Sequence, residues 1–264
     1  MIVIGEKINA TRGPVKAIIE QRDSQGLKEL AEKQVRAGAG YIDVNVGTGV
    51  GSREHEMADM DWAVGVLTDA IEPPLCVDSA DPAVLEAGLR AMGNRKAMIN
   101  SAKADEDCLP KIVGLAARYD AGLVGLAMDE SGIPPTVEGR LAACAKIAEE
   151  CRRQGVPLEK VFFDPLVLPV STDITQGMVT LRTIREIKVA FEGARTVMGL
   201  SNISFGLPDR LRLNAAFLHM ALSAGLDAAI ADATDDELMA AVRTGEVLVG
   251  RDRHCRRYSR AFRR

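Results

Sequence analysis

Short apolar runs recur along the chain, each followed by a longer segment with helical spacing. They occupy residues 2–5, 41–46, 75–78, 97–100, 122–127, 161–164, 196–199 and 228–231. The runs are continuously apolar rather than alternating, which suits strands buried on both faces of a parallel sheet. The helical segments between them suit right-handed crossovers. Eight such units predict an α/β fold, a single (β/α)8 TIM barrel spanning residues 1–264 as one domain. An open, doubly wound sheet is the alternative arrangement.

Several predicted helices carry readable ends. Asp81 stands before Pro82 as an N-cap, and Gly93 stops that helix. Leu27, Leu30, Ala31 and Val35 form one stripe, ended by Gly38. Leu213, Phe217, Met220 and Ala221 form another, ended by Gly225.

Composition agrees with this architecture. The 264 residues match the ~250 typical of one such barrel and can bury a full core. Hydrophobic residues make up 47% and charged residues 27%, an ordinary globular balance. A net charge of −4 argues against nucleic acid as the main partner. The five cysteines, Cys76, Cys108, Cys144, Cys151 and Cys255, include no C-x-x-C. They predict a reduced, cytoplasmic protein without a disulfide framework. The N-terminal MIVIGEKINA has its basic residue only after a short apolar run, so no signal peptide is expected. No apolar run reaches ~18 residues, so no membrane span is expected.

Candidate chemistry lies where the apolar runs end. The first run is followed by Glu6 and Asn9, and the second holds Asp43 and Asn45. The third ends at Asp78, the fourth at Asn100 and the sixth at Asp164. The seventh leads into Ser201 and Asn202, and the eighth ends at Asp232. In a barrel these positions converge on the carboxyl-end mouth, where such enzymes carry their sites. A single Asp after a strand is as often the cap of the next helix. Seven polar ends together need partners, and a bound polar ring would supply them. Asp78 and Asp164 could accept from the N–H groups of an amino-pyrimidinone edge, and Asn100 could serve as donor or acceptor. No cluster of Arg or Lys marks these ends, so phosphate is not the indicated ligand. None of the three histidines, His55, His219 and His254, falls among them, so no metal site is expected. Pro165 holds Asp164 extended and fixes the direction of its carboxylate.

These residues carry a resemblance. GEKIN (5–9), DVNVG (43–47), CVDS (76–79), MINS (98–101), FDPLVLP (163–169), GLSNISFGLP (199–208) and GLDAAIAD (225–232) look like methyltetrahydrofolate:corrinoid protein methyltransferases. Those enzymes are relatives of the folate module of cobalamin-dependent methionine synthase and, more distantly, of dihydropteroate synthase. The resemblance runs in order over essentially the whole chain. It implies a homodimeric barrel with the pterin ring in its mouth. Tetrahydrofolate or 5-methyltetrahydrofolate is then a substrate, and the corrinoid belongs to a separate partner protein that supplies Co(I). Asp78, Asn100 and Asp164, with Ser201, would hold the pterin. Asn202 would hydrogen-bond N5 as the catalytic contact. Glu6, Asn9, Asp43 and Asn45 would support the site. The direction of methyl transfer is open.

Competing readings differ in class. One is a non-catalytic folate-binding module of a larger assembly. Another is dihydropteroate synthase, disfavoured because the chain lacks a Ser-x-Arg-x-His motif near its C-terminus. In MDESGIPP (128–135), Asp129 stands where some family members have Asn, which points to a role in tuning the pterin or folate tail. GTGVG (47–51) lacks the Lys of a P-loop and reads as a plain loop. The basic stretch RDRHCRRYSRAFRR reads as a solvated terminal helix with Tyr258 and Phe262 packed inward. Trp62 reads as core, and His219 as a packing or surface residue of its helix.

Overall fold

A computed structural model shows a closed barrel of eight parallel strands paired in chain order. It describes residues 1–49 and 51–263. The strands are β1 (Ile2–Asn9), β2 (Tyr41–Asn45), β3 (Leu75–Asp78), β4 (Ala97–Ala104), β5 (Gly122–Asp129), β6 (Val161–Asp164), β7 (Arg195–Gly199) and β8 (Ala228–Ala231). The ring is covered by α1 (Gly13–Glu20), α2 (Ser24–Arg36), α3 (Arg53–Ala70), α4 (Pro82–Ala91), α5 (Leu109–Arg118), α6 (Val137–Gln154), α7 (Gln176–Ala190), α8 (Arg210–Ala224) and α9 (Asp236–Leu248), with α10 (Arg256–Phe262) at the end. Closure rests on β1, which pairs with β2 on one side and with β8, Ile2 opposite Ala228, on the other. The open-sheet alternative is therefore excluded.

Two apolar layers explain the continuous runs. Ile4, Cys76, Met98, Val124, Phe162, Val197 and Ala228 meet inside the barrel. A larger cluster fills the space between strands and helices, with Ile42, Leu75, Ile99, Leu123 and Phe163 facing Leu67, Leu85, Ile112, Ile147 and Ile184. Above the inner layer the strands turn polar while the ladder continues. Thus β1, β4 and β5 run on past their apolar runs to Asn9, Ala104 and Asp129, with register shifts after Gly5 and Asn100. Glu6 and Asn9 accordingly belong to the first strand rather than to the loop after it.

The caps form as the sequence indicates. Asp81 accepts from the Ala83 amide at 2.8 Å. Gly225 adopts φ +117 after α8, a conformation that a side chain disfavours. Two stripes differ from expectation. On α8 the buried face is Asn214, Phe217, Leu218, Ala221 and Leu222, while Met220 is exposed. The helix is rotated so that the polar Asn214, not Leu213, lies inward. On α10 the Tyr258 and Phe262 rings stack on each other at 4.7 Å, but Phe262 stays exposed. Tyr258 is half-buried, and Phe262 is the last residue of the helix, on its open end. Trp62 is half-buried against the core margin, with the Arg22 guanidinium 5.8 Å from its ring. His219 Nε2 donates to the Ala241 carbonyl at 2.9 Å. Residues 47–49 and 51 belong to neither β2 nor α3; Val50 lies outside the described residues.

Candidate functional site

Strand register gathers the polar ends. Asp78 lies directly opposite Asn100 across β3 and β4, and Asn9 lies opposite Asn45 across β1 and β2. Asp43 and Asn45 sit two apart on β2, so both side chains face the interior. There the Asn45 amide donates to Asp78 Oδ2 at 2.9 Å, and the Asn100 amide donates to Asp43 Oδ1 at 3.2 Å. Asp43 and Asp78 are also hydrogen-bonded to each other. Two carboxyls in such contact share a proton. Burial, then the Asp78 charge, pushes the Asp43 carboxyl well above its ordinary value. Burial also raises Asp78, but the amide of Asn45 and the proton of Asp43 hold it down. Burial raises both carboxyls, so the two titrate as one coupled pair. Beneath them burial raises the Cys76 thiol well above its usual range, so it stays protonated.

Asp164 closes the set from β6. It is buried, and one carboxylate oxygen accepts from the Leu166 amide at 2.8 Å. Burial pushes its carboxyl up to about 7, against the pull of the Leu166 amide, the Arg140 guanidinium and the Gly199 amide. Asp164 is therefore poised near neutrality rather than fixed as a carboxylate. Arg140 was not legible as a site residue, yet its side chain is fully buried against this corner. The available signal is its place on α6, where it heads the buried stripe of Ala143, Cys144, Ile147 and Cys151. A charge on an apolar face must have dedicated partners.

From β7 the chain enters a 3-10 turn, Leu200–Ser204. Asn202 is exposed on this turn, unlike the carboxylates below. A Cβ at Gly199 would lie 3.2 Å from the Asn202 amide nitrogen, so glycine leaves room for that side chain. Arg210 pins the turn, donating to the Ser201 carbonyl at 2.7 Å and to Ser204 Oγ at 3.0 Å. Across the mouth, Glu6 pairs with Arg12 at 2.9 Å, Lys7 with Asp232 at 2.5 Å, and Asn9 Oδ1 accepts from the Thr11 amide at 3.0 Å. Glu6, Arg12, Ser201, Arg210, Asn214 and Asp232 line a cavity of about 220 Å³. Asn214 Oδ1 is buried there without a partner.

Cations thus reach the rim, contrary to the expectation from the strand ends alone. Lys7 comes from within β1, while Arg12 and Arg210 arrive from the following loop and from α8. Asp129 is not drawn into the network. It accepts from the Ser131 amide at 3.0 Å and faces Lys146 at 3.9 Å, which commits it to its own turn. Among the described residues, no group of three His, Cys, Asp or Glu side chains is placed to hold a metal ion, and no helix is long and apolar enough to cross a membrane. Acceptors at Asp78 and Asp164, interleaved with the amides of Asn45 and Asn100, suit a planar ring edged with N–H donors and carbonyl acceptors.

Residues 5–232 match the family of pterin binding enzymes, and the chain belongs to that family. It is 34% identical, over 100% of its length and 96% of the relative's, to the methylcorrinoid:tetrahydrofolate methyltransferase of Eubacterium limosum. It is 34% identical over 248 residues to the methionine synthase of Mycobacterium leprae, of which it spans 20%. Among solved structures, the DHPS of Yersinia pestis superposes with a TM-score of 0.72 at 18% identity, over 94% of this chain and 93% of that one. The 7,8-dihydropteroate synthase of Vibrio fischeri gives 0.71 at 17%, over the same shares. At that identity the likeness shows the fold alone.

Proposed function

We propose that residues 1–264 act as one pterin-binding domain that moves a methyl group between N5 of tetrahydrofolate and the cobalt of a corrinoid carried by a separate protein. The observation that carries this reading is the inward set of Asp78, Asn100 and Asp164 at the strand ends of one barrel mouth. The full-length match to a methylcorrinoid:tetrahydrofolate methyltransferase supports the choice of reaction over other pterin chemistry.

In this reading Asp78, Asn100 and Asp164 hold the pterin edge, with Ser201 beside them. Asp43 and Asn45 hold Asp78 in direction, while Glu6 and Asn9 shape the opposite rim. The corrinoid, when its protein docks over the mouth, supplies the cobalt that accepts or delivers the methyl group. The barrel's own work is positioning and electrostatic assistance. When the N5–CH3 bond breaks, its electron pair stays on N5, which must take a proton or a strong hydrogen bond. Asn202 faces that need with a neutral amide, favouring the developing charge without a fixed ion pair in the ground state. The same contacts serve the reverse direction, in which N5 loses its proton as it gains the methyl group.

The test uses the purified chain with methylcobalamin and tetrahydrofolate, and separately with cob(I)alamin and methyltetrahydrofolate, followed by the corrinoid absorbance. Transfer in at least one direction is expected. Folate binding with transfer in neither direction, repeated with corrinoid proteins, would mark a non-catalytic module. Condensation of a pterin pyrophosphate with p-aminobenzoate would mark a dihydropteroate synthase. The homodimer that the resemblance implies is read by light scattering on the same sample.

A further inference from the structure

We infer that Arg140 is a positioning residue for the pterin site: its buried guanidinium holds the turn after β6 that aims and charges Asp164. The ligand named here rests on the proposed function.

The guanidinium is completely buried, and its donors reach loops on both sides of it. Nη1 donates to the Pro165 and Leu166 carbonyls, each at 2.9 Å. Nε donates to the Pro134 carbonyl at 3.0 Å, and Nη2 to Gln176 Oε1 at 2.8 Å. The Gln176 amide is itself held by Asp173 Oδ2 at 3.0 Å. One planar fork therefore ties the loop after β5 to the loop after β6, a geometry that lysine cannot reproduce.

What the fork holds is the turn that serves Asp164. Leu166 has φ +64, a left-handed conformation uncommon for a branched residue. The left-handed φ sets the direction of the Leu166 carbonyl that Arg140 holds, while the Leu166 amide donates to Asp164 Oδ1 at 2.8 Å. The order of contact is Arg140, the two carbonyls, the Leu166 amide, then the Asp164 carboxylate. Packing alone gives no reason to keep a charge here, because an apolar side chain of similar volume is often as stable in such a place. A buried positive charge beside a ligand-facing carboxyl does have a use: it favours the ionised form. The groups facing Asp164 are Arg140 and the Cys144 thiol from α6, with the amides of Leu166 and Gly199. Arg140 is the cation among them.

Three variants separate charge from geometry: Arg140→Met, Arg140→Lys and Gln176→Leu. The first readout needs no ligand. The Asp164 carboxyl, labelled with carbon-13, is titrated by NMR in the apo protein. Its midpoint should move up by about one pH unit in Arg140→Met and stay near wild type in Arg140→Lys. The second readout is tetrahydrofolate binding by calorimetry between pH 6 and 9. Affinity should fall about tenfold in Arg140→Met and in Arg140→Lys, and less in Gln176→Leu. In an Asp164→Asn background the Arg140→Met loss should shrink to less than about twofold, because the two residues act in series. An unmoved carboxyl titration in Arg140→Met, or an equal loss of affinity in both backgrounds, would overturn the inference. Should Arg140→Met fail to fold, Gln176→Leu and Arg140→Lys carry the same cycle. Failure of the wild type to bind tetrahydrofolate would sink the proposed function, while the carboxyl titration would still decide whether Arg140 governs Asp164.

Discussion

Replacing Asp164 by Asn should make the protein more stable and its folate site worse. Asp164 holds its proton up to about pH 7 in the folded chain, against an ordinary value of 3.8. Between those limits the folded state keeps a proton that the unfolded state has shed. The associated stability is fully present below about pH 4 and is lost as pH rises to 7. The interval is worth about 4 kcal/mol at about 1.4 kcal/mol per pH unit. Asn carries no charge to desolvate, so Asp164→Asn escapes that loss. Half of the gain is discounted because Arg140 loses its nearest carboxylate, leaving about 2 kcal/mol. For a chain of this size that is roughly 4–8 °C in Tm. The gain should appear at pH 8 and vanish at pH 4. Folate binding should move the other way. A ligand N–H that met a carboxylate now meets an amide with half the acceptor capacity and two donors of its own. Leaving such buried partners poorly matched costs about 1–3 kcal/mol of affinity. Denaturant melts at the two pH values and calorimetry with tetrahydrofolate measure both signs. A variant equally stable at both pH values, or one that binds folate as tightly as wild type, would refute the reasoning.

Asp78→Asn should likewise weaken tetrahydrofolate binding by about 1–3 kcal/mol in calorimetry, since the Asn45 amide would face another amide. Asn202→Ala should lower kcat roughly 10²–10³-fold at saturating folate in single turnover; equal losses in affinity and kcat/KM with kcat untouched would show uniform binding instead. Gly199→Ala should displace the Asn202 amide and lower kcat roughly tenfold or more, with a wild-type melting curve as the control. Binding and turnover should also diverge with pH. Tetrahydrofolate affinity should weaken below about pH 7 as Asp164 takes up its proton, whereas demethylation of methyltetrahydrofolate should speed up until N5 is protonated in the complex.

The barrel was legible because its signal is repeated. Eight buried strands in one chain each demand an apolar run, and no single ambiguous run has to carry the conclusion. The polar positions were legible for a related reason: Asp78, Asn100 and Asp164 stand where an apolar run stops, and closure brings those stops to one face. What the sequence concealed depends on contacts across loops. Asp43 sits inside a strand, and its shared proton with Asp78 follows from register that only the closed ladder defines. Arg12 and Arg210 reach the rim from segments about 200 residues apart, so no local cluster announces them. Asp129, the last residue of β5, is held by Ser131 two residues on in a local turn. A strand-end Asp followed by a short polar loop has this competing use for its oxygens.

Burial divides the mouth into two kinds of group. Asp43, Asn100 and Asp164 are at most 9% exposed, and each makes hydrogen bonds that fix its direction before any ligand arrives. In the proposed function such groups would recognise a ring equally well whether or not it carries a methyl group, and binding of that uniform kind does not speed the chemistry. Asn202 is different. It stands exposed on a turn held by Arg210, above a glycine that leaves its amide room. A side chain placed there can meet N5 as charge develops and can also yield to an approaching partner. If the buried groups instead carried the rate enhancement, Asn202→Ala would leave transfer to free cobalamin unchanged. Under the proposed function, a mouth that admits a second protein has reason to keep its catalytic contact neutral, at the rim, and supported from outside the ring.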